Sequence, residues 1–524
     1  RGATDAFSQA AVLELYDPDR SSATTYYGQI GSWSAFQLTM VERASALAQK
    51  RGEGLVILTG TVTSPTMVRQ MRQLQDRFPA LRWYVHEPVG RARSDAATRS
   101  AFGRPLDVRY RLDRADMVLA LDADPLGPGP AQLVYARQWI ERRRTAIASG
   151  DLPRLHVIES TPSLTGAKAT RRSPASSGEI VNFTLALAQQ FGIRPAGTPD
   201  LAPPRRAELA QVAQQLREAG AAGLVMAGPH LPPEVQALAF AVNDRLGSLG
   251  RTLEFSEPVP AMPDGEDRSL AGLAGAIAAG SVDTLIILDA NPAYTAPADL
   301  GFPELLRRVA LSVHVGPYFD ETAALCHWHV PLLHPFEAWS DARAVDGTAS
   351  VLQPLLRPMF GGRSIHEVLA VLGGDPNTQP YDLVRATWRD LLPGGEFESA
   401  WRKVLEEGFA PGTAVPARAV QLGQITAPEP IAPSEELEAV IRPDPGVWDG
   451  RFANNAWLQE LPRPFTKLTW DNALLISPAL AGARGLKNGD LVEVFGGERR
   501  LRAPVWVLPG QAERTVTLLL GYGR

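Results

Sequence analysis

Four groups of residues in this 524-residue chain have types and spacings that could do chemistry. The apolar run at 285–288 ends in Asp289-Ala290-Asn291-Pro292. A strand that stops this way ends at the C-terminal edge of a sheet, where open α/β sheets hold dinucleotides. Asn291 and Pro292 could grip such a ligand or simply cap the strand, and Asp289 would repel a phosphate beside it. In the second group, Cys326, His327, His329 and His334 supply donor types that bind zinc, with His327 and His329 two apart on one strand face. The plainer reading makes Cys326 a small buried hydrophobe, and no carboxylate motif completes a metal set. The third group, Glu337, Asp341, Arg343 and Asp346, falls in a loop between predicted strands. A guanidinium set among three acids there would fix the loop through charge-assisted pairs. Asp122 and Asp124 close a strand at a predicted switch point, as metal ligands or as an acid-rich turn.

An α/β scaffold must position these residues. LVIL (55–58), a helix rich in Gln and Arg, RWYVH (82–86), ADMVLALDAD (115–124), a helical stretch at 129–144 and LHVIES (155–160) follow in order. Alternation of this kind predicts a doubly wound parallel sheet. A second such unit begins near 205 with the amphipathic RRAELAQVAQQLREAGAAG. The strand GLVMAGPH (223–230) enters a turn, and the helix after it is started by Pro and ended by Gly. TLIILDANP (284–292) and VALSVHV (309–315) add strands. MVLALDADPLG and LIILDANPAYT are similar enough to suggest two related α/β halves. Residues 411–437 are Pro-rich and predicted to be an extended linker or surface strap. Beyond them LVEVF (491–495), RLRAPVWVL (500–508) and RTVTLLLGY (514–522), split by turn residues, predict a small closed β-barrel. The expected division is therefore an α/β domain at 1–204, a dinucleotide-binding-like α/β domain at 205–410, the linker 411–437 and a barrel at 438–524.

Composition narrows the chemistry. A four-iron cluster needs about four thiolates, and the chain has one cysteine, Cys326. That single thiol also excludes an internal disulfide framework. Net charge is −5, with no basic stripe to recommend nucleic acid. Apolar runs such as MVLAL (117–121) are far short of the ~20 residues of a membrane helix. The start at Arg1 leaves room for a removed export signal, and the end at LLLGYGR suggests a piece of a longer polypeptide.

Several stretches together resemble one family. They are LYDPDRS (15–21), VTSPT (62–66), 110–130, VIESTPSLTGAKA (157–169), DANPAYTAPADL (289–300), 319–358 and NNAWLQELPRPFTKLTWDN (454–472). The chain resembles the molybdopterin-oxidoreductase-like first half of the large iron–sulfur subunit of alternative complex III. That half is related to catalytic subunits of polysulfide-reductase-type molybdoenzymes. The resemblance implies a molybdopterin oxidoreductase (DMSO-reductase-like) fold that carries neither molybdenum nor pterin. Asp289, Asn291, Pro292, Glu337 and Arg343 would then be vestigial pterin-cleft positions, with no catalytic or metal-binding residue in this chain. It further implies iron–sulfur clusters in a ferredoxin-like half or a partner chain. Expected partners are an integral membrane quinol-oxidising subunit and cytochrome c subunits, at the periplasmic face of the membrane. The role would be to scaffold the cluster-bearing half. Two rivals remain: an active molybdenum-dependent polysulfide or thiosulfate reductase, and a nucleotide-binding regulatory module. Trp457, Phe465 and Trp470 beside Pro and Arg suit either a protein interface or an internal seam.

Overall fold

Fully apolar strands of about five residues can be buried only where both faces of a sheet are covered, and that requirement organises this chain. A computed structural model describes residues 3–194, 197, 199–263, 267–392 and 394–523. The chain forms two compact units. One comprises Arg1–Glu14, Arg91–Glu257 and Pro416–Arg524, the other Leu15–Gly90 and Pro258–Val415. The boundary expected at 204/205 therefore falls inside a unit. Strand Gly223–Ala227 pairs in parallel with Met117–Leu121, so the sheet itself crosses it. Expecting neighbours in sequence to share a domain misplaced the division. The barrel region, 438–524, also belongs to this first unit.

In the first unit the four-stranded parallel sheet runs Arg171–Pro174, Arg154–Glu159, Met117–Leu121, Gly223–Ala227. The chain winds outward from Met117–Leu121 in one direction and returns on its other side, which makes that strand a switch point. Leu119 and Leu121 pack with Ile180, Leu187, Val212 and Leu238 on one face, and Val118 and Ala120 with Trp139 and Phe240 on the other. The helix Pro233–Leu246 starts on Pro and stops at Gly247, whose φ of 74° costs a glycine little.

The second unit holds a seven-stranded sheet in the order Gln29–Ile30, Thr25–Tyr26, Trp328–Pro331, Leu311–Gly316, Thr284–Leu288, Leu55–Thr59, Arg82–Val85. The last five strands are parallel. Ile57 and Ile286 join Met40, Met71 and Val368 on one side, while Val56, Leu58 and Ile287 join Leu273 and Phe302 on the other. Helix Pro65–Arg77 begins with Pro at its first turn and Ser64 as cap, its hydroxyl accepting from the Met67 amide.

Residues 438–524 do not show the expected closed barrel. Their strands form a five-stranded mixed sheet, Glu438–Arg442, Thr515–Leu519, Leu474–Ile476, Arg499–Val507, Leu491–Gly496, whose outer strands do not pair among the described residues. Glu438–Arg442 arrives from the Pro-rich segment and joins Thr515–Leu519 in parallel, an edge that turn chemistry did not signal. The Pro-rich segment is a strap. Asn182 clamps it by a reciprocal pair of hydrogen bonds to the Ile431 backbone, at 2.8 and 2.9 Å.

Candidate functional site

Asp122, Asp124 and Glu159 in one unit, and Asp289 and Asn291 in the other, stand at the C-terminal ends of parallel strands, and each group is described within its own unit.

In the first unit the strand Met117–Leu121 runs out at Asp122, buried and at a left-handed φ of 47°. Arg442 Nη2 lies 2.5 Å from Asp122 Oδ1, and His230 Nε2 lies 3.0 Å from Oδ2. The Ser160 amide and hydroxyl add further donors. Burial alone would raise this carboxyl, but the Arg442 guanidinium and His230 outweigh it and hold it far below the usual carboxylate range. Asp124, two residues on, accepts the Thr165 amide at 2.9 Å and its hydroxyl at 2.6 Å. One strand over, Glu159 is bound by Arg172 at 2.5 Å and by Ser163, and burial still pushes it up. Arg442 and Arg172 are therefore already engaged by this edge's own acids.

In the second unit the strand Thr284–Leu288 ends at Asp289, exposed, with a φ of 50°. Asn291 sits at the start of the short helix Pro292–Thr295. Its amide nitrogen donates to Glu321 at 2.7 Å, and its oxygen accepts the Thr322 hydroxyl at 2.7 Å. Pro292 is buried as the first helical residue. Asn291 is thus spent on the neighbouring loop.

The loop network differs from the expectation. Arg343 does not bridge Glu337, Asp341 and Asp346; its guanidinium donates to the carbonyls of Gly347 (2.5 Å) and Thr413 (3.1 Å). Glu337 instead pairs with Arg20 at 2.5 Å, both side chains almost wholly buried. Burial raises the Glu337 carboxyl, but Arg20 and the amides of Met359 and His334 bring it below its ordinary range. Asp341 faces the start of helix Pro65–Arg77, accepting from Ser64 Oγ, from the Thr66 amide and hydroxyl, and from Trp388 Nε1. Carboxylates suit that end of a helix. Asp346 accepts the Thr348 amide at 2.8 Å.

The histidines also divide differently. His327 precedes the strand Trp328–Pro331 and bonds Ser312 through Nδ1 at 2.8 Å. His329 turns inward and meets His314 Nδ1 to Nδ1 at 3.0 Å, the rings stacked at 5.2 Å. Nε2 of His329 meets Ser21 Oγ at 2.7 Å, and His314 Nε2 is 3.7 Å from Asp320. Burial lowers His314 to about 4, and burial with the His314 neighbour lowers His329 to about 3, so both are neutral at physiological pH. His334 takes the Phe336 amide on Nδ1. No group of three or more His, Cys, Asp or Glu among the described residues is arranged to hold a metal ion. Cys326 lies in the apolar cluster with Val56, Leu58 and Leu285, and burial pushes its thiol up to about 12.

Sequence reasoning missed His314, Arg20, Arg442 and His230. His314 sits inside the strand Leu311–Gly316 between Val313 and Val315, where strand alternation carries no signal for it. Arg20 reaches Glu337 across 317 residues of sequence, beyond any local pattern. Trp457, Phe465 and Trp470 are 52%, 38% and 56% exposed, so the described structure leaves them uncovered.

No family model matches the chain. It is 23% identical over 589 aligned residues to the menaquinone reductase, molybdopterin-binding-like subunit, of Nitratidesulfovibrio vulgaris, covering 100% of this chain and 81% of that protein. Among solved structures it is similar to acetylene hydratase from Pelobacter acetylenicus, with a TM-score of 0.68, 12% identity, and coverage of 98% of this chain and 86% of that one. The fold is molybdopterin-oxidoreductase-like.

Proposed function

We propose that this chain is a cofactor-free, molybdopterin-oxidoreductase-like subunit of a quinone-linked electron-transport complex of the alternative complex III kind, at the periplasmic face of the membrane. It scaffolds an iron–sulfur half and docks neighbouring subunits rather than performing catalysis. The quinone link is supported by the relative's name, a menaquinone reductase subunit.

The observation that carries the cofactor-free part is the donor chemistry of the strand edges. A pterin dinucleotide presents phosphates, which need N–H donors and free cations. At the Thr284–Leu288 edge stand Asp289 and the Glu321 carboxylate, with the Asn291 amide already bound to Glu321. At the Met117–Leu121 edge the cations Arg442 and Arg172 are taken by Asp122 and Glu159. These residues do not fit the group that the fold implies. The sole thiol, Cys326, is buried in the apolar cluster with Val56, Leu58 and Leu285, and no group of His, Cys, Asp or Glu among the described residues completes a metal site around it.

The test is isolation of the native complex from membranes. The chain is expected to copurify with a cluster-bearing polypeptide and a membrane subunit, and to be lost together with quinol oxidation when the complex is split. A chain that purifies alone and reduces polysulfide or thiosulfate would instead establish the molybdenum reductase reading.

A further inference from the structure

Helix Gln132–Ser149 in the first unit carries a surface that the scaffold role leaves unexplained. Its inward side buries Trp139 and Ala146. At 3.6 residues per turn, Leu133, Ile140 and Ile147 fall on one line, about 100° around the helix from the buried Trp139 and Ala146, and are 37%, 50% and 70% exposed. Arg143 borders this line on one side, and Arg137 and Arg144 border it on the other, all three exposed. Arg137 is paired with Glu141 at 2.8 Å, whereas Arg143 and Arg144 have no ion-pair partner among the described residues. The helix holds four arginines against one glutamate in a chain of net charge −5.

An exposed apolar line between arginine rows suits an anionic, partly apolar surface: the long stems lie along the apolar side chains while the guanidinium groups reach phosphate. A partner helix fits less well. With Leu133, Ile140 and Ile147 at one seam position, the complementary seam positions are Ala136 and Arg143, and an arginine there breaks knobs-into-holes packing. We propose that this face of helix Gln132–Ser149 rests on an anionic lipid surface. Leu133, Ile140 and Ile147 enter the headgroup layer, and Arg137, Arg143 and Arg144 bond lipid phosphates. The inference stands on these residues and not on the scaffold reading.

The test is flotation of the full 524-residue chain with vesicles of phosphatidylcholine alone and of phosphatidylcholine with phosphatidylglycerol. Binding is expected to the anionic vesicles only, weakening as salt rises. Arg143→Gln with Arg144→Gln should lower partitioning about five-fold per arginine. Ile140→Ser with Ile147→Ser should lower it as well, with unchanged circular dichroism in both variants. Equal binding to both vesicle types, no binding to either, or binding indifferent to both double variants would overturn the proposal. An acidic protein partner on this face would give the second of these outcomes, with the variants impairing complex assembly instead.

Discussion

Asp122 and Asp289 end two different strands in the same way. Their φ angles are 47° and 50°, and each amide donates to the neighbouring strand, Asp122 to the Ile158 carbonyl and Asp289 to that of Val315, both at 2.8 Å. Two residues on, Asp124 and Asn291 each accept a threonine hydroxyl from the segment after that neighbouring strand, Thr165 at 2.6 Å and Thr322 at 2.7 Å. The similarity of MVLALDAD and LIILDAN is therefore repeated in backbone and side-chain geometry. The difference lies in burial and charge: Asp122 is buried beneath Arg442 and His230, while Asp289 is exposed.

That difference predicts unequal mutational outcomes. Asp289→Gly exchanges an exposed acid at a left-handed position for a residue that adopts it freely, so stability should change by less than about 1 kcal/mol in either direction. Asp122→Gly makes the same backbone change but leaves a mostly buried guanidinium without its carboxylate, and should cost about 3–5 kcal/mol. Urea unfolding of the two variants checks the contrast. Equal effects would mean that the Arg442 pair contributes nothing beyond the turn.

The loop around Glu337 is held by Arg20. Arg20→Ala should destabilise the protein by about 3–5 kcal/mol, because it strands a buried carboxylate. Arg343→Ala, which removes hydrogen bonds from a charged donor to two carbonyls, should cost about 1.5–3 kcal/mol. A double-mutant cycle should show coupling of Glu337 to Arg20 and none to Arg343. Coupling to Arg343 alone would reverse this assignment.

Much of this architecture was legible in the sequence. Strands such as LVIL and LIIL are apolar at every position because both faces are covered, and Pro233 and Gly247 mark a helix by backbone chemistry alone. What remained hidden depends on returns of the chain over long distances. Gly223–Ala227 pairs with Met117–Leu121, which no local pattern encodes, so the domain boundary was misplaced. Asp341 and Arg343 lie two apart on one short strand, yet Asp341 caps the helix begun at Pro65 and Arg343 serves carbonyls. The acid–base spacing was readable, but its partners were not.

The stacked pair His314 and His329 gives a pH dependence of known sign. Both folded values, about 4 and about 3, lie below the ordinary histidine value, because burial resists the charged form. Below about pH 6.5 the unfolded chain takes up protons that the folded chain refuses. The stability present above 6.5 is therefore lost as pH falls toward 4, by up to about 1.4 kcal/mol per pH unit for each imidazole. Asp122 and Glu337, whose folded values are lowered, act in a separate window at and below the ordinary carboxylate range. Urea titrations from pH 7 to 4.5 should show the slope, reduced in His314→Gln. A flat profile over that range would contradict the neutral pair.

Cys326 should behave as a core residue. Its thiol is expected to stay unmodified by aromatic disulfide reagents until the protein unfolds, and Cys326→Ala should cost about 1 kcal/mol. Rapid labelling of native protein would show a reactive thiolate instead.

Whether this molybdopterin-type fold works without its cofactor is tested most directly by metal and pterin analysis of the purified chain, using inductively coupled plasma mass spectrometry and fluorescence of oxidised pterin. The donor chemistry at Asp289, Asn291 and Asp122 predicts substoichiometric molybdenum, tungsten and pterin, unchanged by Asn291→Ala. About one metal and matching pterin per chain, lost on Asn291→Ala while the fold persists, would contradict it.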